Sequence, residues 1–347
     1  MVMKKKLPES PNDNITYCFE PLRLMKAEEE LTRLYGKRYL EYRKQFQLSN
    51  ALGYKPRFPL YLMLEQTYRC NLRCGSCVHG YPHLRNRYNP GISCMPWSLF
   101  ERIILEAERY RCPSLAMHVN DEPLLVKDLG KRIAFARKHG FMDILMTTNG
   151  LLLSGDRIKE VIEAGVTRIL FSLDACTRET YRKVRGGNLD NVLRAIAGVK
   201  KYRNKLRTHL PVIRASFVPT ALNRHELESF KIRFAEIADY IDIQPLSVFR
   251  KANSGLVPSD AQRVTSFRCS QPWSTLVVRG NGDVLPCCSF YGPRIVLGNA
   301  FRDSLYNIFN SGSLKQMRRD FKGGCYRHKA CSICSKTMYR VVPERQR

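Results

Sequence analysis

The feature that most constrains this chain is a group of three cysteines, Cys70, Cys74 and Cys77, spaced Cys-x3-Cys-x2-Cys. The group comes soon after the apolar run 60–64, which is typical of a buried strand. Three thiolates this close together can converge on one metal cluster from a loop. A [4Fe–4S] cluster has four irons and usually takes four cysteines. A local set of three therefore leaves one iron for a ligand that does not come from the protein.

A structural zinc site is the alternative interpretation of the same cysteines. Zinc usually takes four protein ligands in a closed tetrahedron, and His79 could supply the fourth. The ligand count favours the iron–sulfur interpretation.

Composition narrows the class of protein. A chain of 347 residues can hold one large domain and a smaller one. It has no run of 18 apolar residues, so no transmembrane helix is expected. The N-terminus is basic but no apolar stretch follows, so we expect no secretory signal. Thirteen cysteines without an export signal indicate reduced thiols that serve metal clusters in the cytoplasm, not disulfides.

The formal net charge of +27 has two interpretations. Basic residues are scattered along the whole chain, which is typical of a solvated basic surface. Alternatively, the charge favours an anionic substrate or partner, such as a phosphorylated sugar, an acidic peptide or RNA. No recognised nucleic-acid motif accompanies the charge, so we do not expect nucleic-acid binding. A non-catalytic, metal-containing RNA-binding protein stays as a remote alternative.

Strand and helix patterns alternate from residue 60 onward. Apolar runs predict strands at residues 60–65, 115–119, 144–147, 169–173, 212–218 and 240–246. Amphipathic periodicity predicts helices between them, at residues 97–110, 129–139, 157–164, 189–202 and 226–237. Such alternation builds a parallel sheet with helices outside. Six units are too few for a full eight-stranded barrel.

The rest of the chain divides around this core. Residues 1–20 are predicted to be a loose arm, and a helical pattern from about residue 21 to 47 completes an N-terminal segment, 1–59. The α/β core spans 60–246. Residues 247–268 lose periodicity and are predicted to be a linker. A small α+β domain, 269–347, follows.

Four more cysteines are predicted to converge in the C-terminal domain. Residues 274–279 and 284–286 flank an Asn-Gly turn and predict a hairpin, with Cys269 and Cys287 at its open end. Cys331 and Cys334 form a Cys-x2-Cys pair. The residues alone suit zinc as well as an iron–sulfur cluster.

The cysteine motif at residues 70–77, on a loop after the first strand of the core, resembles the signature of radical S-adenosylmethionine (SAM) enzymes. The resemblance implies a partial (β/α)6 TIM-like barrel. It also implies that Cys70, Cys74 and Cys77 hold a [4Fe–4S] cluster whose fourth iron binds SAM. Reductive cleavage of SAM by that cluster gives a 5′-deoxyadenosyl radical that abstracts a substrate hydrogen. A reducing partner such as flavodoxin or ferredoxin is implied too.

Strand-end motifs extend the resemblance to SAM contacts. The segment 120–123 resembles the family's Gly-Gly-Glu-Pro motif, with Asn120 and Asp121 in place of the glycines, and Ser76 stands where the family usually has an aromatic residue. The positions that the resemblance assigns to SAM binding are Glu122, Pro123, Thr148, Asn149, Ser172, Asp174 and Arg185.

The C-terminal cysteines resemble the SPASM/twitch extension of the same enzymes. Gly282 shortly before Cys287, the segment 297–299 and the Cys-x2-Cys pair all match. The resemblance to the shorter twitch type implies one auxiliary [4Fe–4S] cluster, ligated by Cys269, Cys287, Cys331 and Cys334, and so two clusters in the chain. Cys288 and Cys325 are left over, and a second, incomplete cluster site that uses them is the weaker alternative.

The fate of the substrate radical stays open at this point. Relatives of the twitch type imply dehydrogenation of a small polar substrate such as a sugar, amino sugar or nucleotide sugar. Epimerisation needs a thiol that returns a hydrogen atom, and Cys176 is the candidate, with Cys94 and Cys288 unassigned. We assign Cys18 and Cys112 to buried packing. The alternative substrate is a ribosomally made peptide, which would be epimerised or crosslinked.

Overall fold

The computed structural model describes residues 15–17, 21–249 and 252–341. Its strands are β1 Ile15–Tyr17, β2 Tyr61–Leu64, β3 Ser114–Ala116, β4 Asp143–Thr148, β5 Arg168–Ser172, β6 Val212–Phe217, β7 Tyr240–Ile243, β8 Leu246–Ser247, β9 Ala261–Arg263, β10 Thr275–Val278, β11 Asp283–Leu285, β12 Gly298–Asn299 and β13 Met338–Val341. Its α-helices are α1 Pro21–Tyr35, α2 Lys37–Asn50, α3 Pro82–Arg87, α4 Trp97–Arg109, α5 Leu129–Lys138, α6 Gly155–Glu163, α7 Arg178–Arg185, α8 Leu189–Lys205, α9 Leu227–Ile237, α10 Gln271–Ser274, α11 Leu305–Phe309, α12 Gly312–Lys322 and α13 Lys329–Cys334.

The main sheet confirms the predicted α/β partial barrel. Strands β2 to β7 lie side by side in chain order, and each neighbouring pair is parallel. Every predicted core strand and helix is present within a few residues of its predicted bounds. Parallel strands place their C-terminal ends at one edge, and the loop with Cys70, Cys74 and Cys77 leaves β2 at that edge.

The two faces of the main sheet pack against different apolar clusters. Side chains alternate along a strand, so Leu62 and Leu64 pack with the helices in the largest buried core. Met63 and Val277 point the other way and form a separate apolar cluster. We call the side that carries this second cluster the inner face of the sheet.

The C-terminal hairpin does not stand apart from the barrel. Strand β10 lies parallel to β2, with Thr275 opposite Tyr61 and Val278 opposite Leu64. The predicted hairpin is confirmed, since β11 pairs antiparallel with β10. The two parts of the chain therefore share one sheet, which the separate hydrophobic patterns of the sequence could not reveal.

Three local predictions differ from the structure. The arm was expected to be loose, but β1 pairs antiparallel with β7; the rest of residues 1–20 lies outside the described residues. The helical segment 21–47 is two helices, because Gly36 adopts a φ of 56° between α1 and α2. The linker contributes β9, which pairs with β13, and one of the two residues of β8. Strands of two or three residues show no detectable periodicity in a sequence.

A buried network of ion pairs and hydrogen bonds joins the N-terminal helices α1 and α2 to the barrel. Asp143 and Arg168 begin β4 and β5, and the Arg168 Nε lies 2.9 Å from Asp143 Oδ1. Arg168 also donates to Glu28 of α1 at 2.8 Å and to the Tyr39 hydroxyl of α2 at 3.0 Å. Burial alone would raise the pKa of Asp143, but the Arg168 guanidinium holds it below its usual range. The helices thus cover the N-terminal strand ends and leave the C-terminal ends for the cysteine loop.

Candidate cofactor and cluster sites

The cysteine loop after β2 is tightly turned. The amide of Cys77 donates to the carbonyl of Cys74 at 3.0 Å. Gly80 closes the turn: a Cβ there would lie 2.5 Å from the Cys74 carbonyl oxygen, so no larger residue fits without displacing the backbone. Cys70 accepts from the amide of Leu72 at 3.5 Å. The loop therefore presents its three thiols within one short, constrained segment.

The chemistry of these thiols fits a bound metal cluster. Burial raises the pKa of Cys70 to about 12, and the neighbouring Glu122, Cys74 and Cys77 add to the shift. Burial also raises the pKa of Cys77. Gathered neutral thiols ionise when metal ions bind them, because the ions supply the missing positive charge. Asn149 Nδ2 lies 4.0 Å from the Cys70 sulfur and is placed to donate to it.

Glu122 joins the loop after β3 to the end of β4 through hydrogen bonds. Its carboxylate accepts from the Thr148 hydroxyl at 2.7 Å, from the Asn149 amide at 2.8 Å and from the Leu124 amide at 3.2 Å. Pro123 begins the short turn Pro123–Leu125. The structure thus brings together these four predicted SAM-binding residues: Glu122, Pro123, Thr148 and Asn149. Asn149 also donates to Asn71 at 2.7 Å, which ties the group to the cysteine loop.

Arg185 lies between the cysteine loop and β5. It ends α7, and its Nη2 lies 2.7 Å from Oδ2 of Asp174 in a buried pair. Its Nη1 lies 3.6 Å from the Cys74 sulfur. The Nε is buried and has no hydrogen-bond partner among the described residues. Ser172 ends β5, half-buried, two residues before Asp174. A free, buried guanidinium N–H beside the loop fits an anionic group such as the SAM carboxylate.

Arg185→Lys tests this assignment. Lysine keeps the positive charge but lacks the planar fork, so the pair with Asp174 survives while the Nε donor is lost. We expect the Kd for SAM to rise about tenfold, which corresponds to about 1.4 kcal/mol. Equilibrium binding to anaerobically reconstituted protein measures it. If the Kd for SAM is unchanged, Arg185 has only a structural role.

Three of the four C-terminal cysteines share packing contacts: Cys331 packs against one apolar cluster together with Cys334 and against another together with Cys269. Cys331 and Cys334 are three residues apart on α13 and so share one helix face. Burial raises the pKa of Cys331 to about 12 and that of Cys334 to about 11, and Cys287 adds to both shifts. Burial raises the pKa of Cys269 well above normal, and the other three thiols add to it. The set of four fits a fully ligated cluster.

One apolar cluster joins the two cysteine sets. Tyr68, Phe290 and Ala330 are among its buried residues, and Cys77 packs against it together with Cys331 and Cys334. The three-cysteine set and the C-terminal set therefore contact the same apolar cluster.

The remaining cysteines occupy different surroundings. Cys176 packs in the core between the sheet and its helices, and its sulfur lies 3.8 Å from the Glu226 carbonyl oxygen. Cys288 packs against the inner-face cluster instead. Cys112 is buried, as expected, Cys94 is half-buried, and Cys325 is exposed. Of these, Cys288 is the thiol on the inner face.

A cavity of about 360 Å³ lies beside the cysteine loop. Its lining includes Tyr68, Arg69, Cys70, Arg73, His79 and Arg85. Apart from Cys70, the sequence patterns did not identify these residues as one site. The sequence suggests His79 only as a zinc ligand. In the structure its Nε2 lies 2.6 Å from the Asn120 carbonyl oxygen. Loop residues brought together by tertiary folding leave no spacing signal in the sequence.

Comparison with protein families gives two matches. Residues 64–214 match the model of the radical SAM superfamily. Residues 269–336 match SPASM, an iron–sulfur cluster-binding domain. Among curated proteins, the chain is 26% identical to the tungsten-containing aldehyde ferredoxin oxidoreductase cofactor-modifying protein of Pyrococcus furiosus, over 79% of this chain and 87% of the relative.

Two solved structures show the same fold. SuiB of Streptococcus suis bound to S-adenosylmethionine superposes with a TM-score of 0.58 and 18% identity, over 86% of this chain and 79% of SuiB. BtrN in complex with S-adenosylmethionine and 2-DOIA gives a TM-score of 0.55 and 17% identity, over 81% of this chain and 93% of BtrN.

Within the described residues, no helix combines the length and apolarity that crossing a membrane requires. The two family matches, the partial barrel and the two cysteine sets agree with one another. The chain thus carries a radical SAM domain over residues 64–214 and a C-terminal SPASM iron–sulfur domain over residues 269–336, and these two domains imply [4Fe–4S] clusters and SAM as cofactors.

Proposed function

We propose that this protein is a radical SAM oxidoreductase that dehydrogenates a small polar substrate such as a sugar, amino sugar or nucleotide sugar. One observation supports the proposal: Arg185 Nη1 lies 3.6 Å from the Cys74 sulfur of the three-cysteine loop, while a separate group of four cysteines lies in the C-terminal region. Three cysteines leave an iron open for SAM, whereas four close the second cluster. In this proposal residues 60–246 are the catalytic barrel and 269–347 the auxiliary domain, with 1–59 and 247–268 as N-terminal segment and linker.

Some residues would hold the two clusters, and others would orient SAM. Cys70, Cys74 and Cys77 would hold the first cluster, and the C-terminal set would hold the second. When bound, the cofactors would supply a radical that takes a hydrogen atom from the substrate and an acceptor for the electron that the substrate then loses, and the hydroxyl proton would leave to a general base near the substrate. Glu122 fixes the loop that faces SAM, and Arg185 offers its Nε to an anion.

Epimerisation is less well supported by the position of Cys176. A hydrogen-donating thiol must reach the substrate carbon, but the Cys176 sulfur lies among core side chains near Glu226. Cys288, on the inner face, is the better-placed thiol if a hydrogen atom is returned.

Incubation in deuterated water separates the two outcomes. Reconstituted enzyme receives SAM, a reductant and a panel of sugars, amino sugars and nucleotide sugars. We expect an oxidised product with no deuterium at the reacting carbon, because dehydrogenation removes hydrogen without returning it. Deuterium gained without oxidation would instead establish epimerisation, and Cys176→Ala and Cys288→Ala would then identify the donor.

Peptide modification is the second candidate. SuiB has also been solved bound to its precursor peptide SuiA, and that structure superposes with a TM-score of 0.55 over 86% of this chain. The superposition on SuiB concerns the fold. It therefore supports peptide modification less directly than the cavity beside the cysteine loop supports a small substrate. Mass changes in a precursor peptide, with no turnover of the small-molecule panel, would favour this candidate. In either case we propose flavodoxin or ferredoxin as the reductant.

A further inference from the structure

The cavity beside the cysteine loop has a uniform charge. Three arginines line it, Arg69, Arg73 and Arg85, and among the described residues no carboxylate does. Arg69 and Arg85 form no ion pair with any described residue, whereas other arginines of the protein pair with acids. Unpaired guanidinium groups that converge on a concave site favour an anionic ligand, because they bind phosphate or carboxylate in a forked geometry.

Two buried polar atoms of the lining lack partners. The Tyr68 hydroxyl and His79 Nδ1 have no hydrogen-bond partner among the described residues, although these side chains belong to residues only 6% and 2% exposed. His79 Nε2 donates to the Asn120 carbonyl, so Nδ1 is an acceptor. A buried polar atom without a partner costs free energy. A ligand hydroxyl would satisfy both atoms, since it donates to one and accepts from the other.

We propose that this cavity binds the substrate, and that the substrate is a small hydroxylated anion such as a sugar phosphate or a sugar acid. The arginines take the phosphate or carboxylate, and Tyr68 and His79 take a hydroxyl group. Cys70 itself lines the cavity, so a ligand there lies against the loop that would hold the SAM-binding cluster. The inference rests on the proposed function and narrows its substrate class. The cavity volume lies at the lower end of the usual range for small-molecule sites.

Calorimetric titration of anaerobic, SAM-saturated holoprotein tests the proposal. The probes are glucose 6-phosphate, UDP-glucose and gluconate, with glucose as the uncharged reference. We expect at least one anion to bind about tenfold more tightly than glucose, because a charge-assisted forked contact is stronger than a neutral one. The phosphate and carboxylate probes distinguish the two anionic groups.

Arg85→Ala and Arg87→Ala form a matched pair on α3. Both remove one positive charge from the same short helix, but only Arg85 lines the cavity. We expect Arg85→Ala to weaken anion binding about tenfold and Arg87→Ala to leave it within about twofold. Tyr68→Phe should weaken binding several-fold without lowering stability, because its hydroxyl has no partner to lose.

Three results would overturn the proposal. The anions could bind no better than glucose, or both arginine variants could weaken them equally, which would indicate a diffuse surface effect. Arg85→Ala could also weaken SAM binding, or reduction by flavodoxin, and not the anions; the cavity would then serve SAM or the electron donor. Dithionite-reduced wild-type enzyme should cleave SAM without substrate, whichever way the anion titrations turn out. That readout separates failure of this proposal from failure of the proposed function.

Discussion

Replacement of Cys70, Cys74 and Cys77 together by alanine is expected to abolish the reductive cleavage of SAM and to halve the iron and sulfide content, from about eight of each per chain to about four. The loop would keep its fold-defining turn at Gly80 but would lose every thiol able to hold the first cluster. The C-terminal set shares no ligand with it. Iron and sulfide analysis of anaerobic protein, with chromatographic assay of 5′-deoxyadenosine, measures both effects.

A matched control removes cysteines that belong to neither set. Cys94→Ala combined with Cys325→Ser should keep both clusters and full cleavage of SAM, because these thiols are half-buried and exposed outside both sets. Wild-type protein that contains zinc but no sulfide would contradict the cluster assignment. So would a triple variant that retains the iron and sulfide of two clusters.

Arg168→Met is expected to lower the free energy of unfolding by about 3–5 kcal/mol, because it leaves a buried carboxylate without its counter-charge. Asp143 would lose its partner at 2.9 Å, and Glu28 and Tyr39 would lose the donor that joins α1 and α2 to the barrel. Methionine fills a similar volume, so the effect reports the lost charge more than a cavity. Denaturant unfolding of the reconstituted protein measures the change.

Arg178→Met is the control for charge removal at the surface. Arg178 also pairs with a carboxylate, Asp190 at 2.8 Å, but its side chain is 80% exposed. Exposed pairs contribute about 0–1 kcal/mol, so this variant should unfold close to wild type. Equal losses in the two variants would show that the Arg168 network does not hold the N-terminal helices in place.

The parts of the molecule that the sequence predicted best carry strong local signals. The core strands show continuous apolar runs, and the helices show regular amphipathic spacing, so each lies close to its predicted bounds. The hairpin was marked by Asn281-Gly282, where Gly282 adopts a φ of 84°. The same hairpin predicts that Cys269 and Cys287 lie near each other at its open end.

Features that depend on tertiary contacts were not predictable from the sequence. The pairing of β1 with β7 joins segments more than 200 residues apart and involves three residues of ordinary composition. The cavity combines side chains of the cysteine loop with Arg85 of α3, and nothing in their spacing indicates contact. The sequence suggests Cys176 as a hydrogen-atom donor because it follows a strand end. A position along the chain does not tell which side of a sheet a thiol occupies.

Because β10 pairs with β2, the SPASM region cannot be removed without exposing the edge of a barrel strand. Strand β2 leads straight into the cysteine loop, and β10 supplies its neighbour on the side away from β3. Deleting residues 269–347 would leave the amide and carbonyl groups of β2 unpaired along that border, a template for association with other chains. A truncated enzyme should therefore aggregate and lose SAM cleavage, even though every ligand of its first cluster remains.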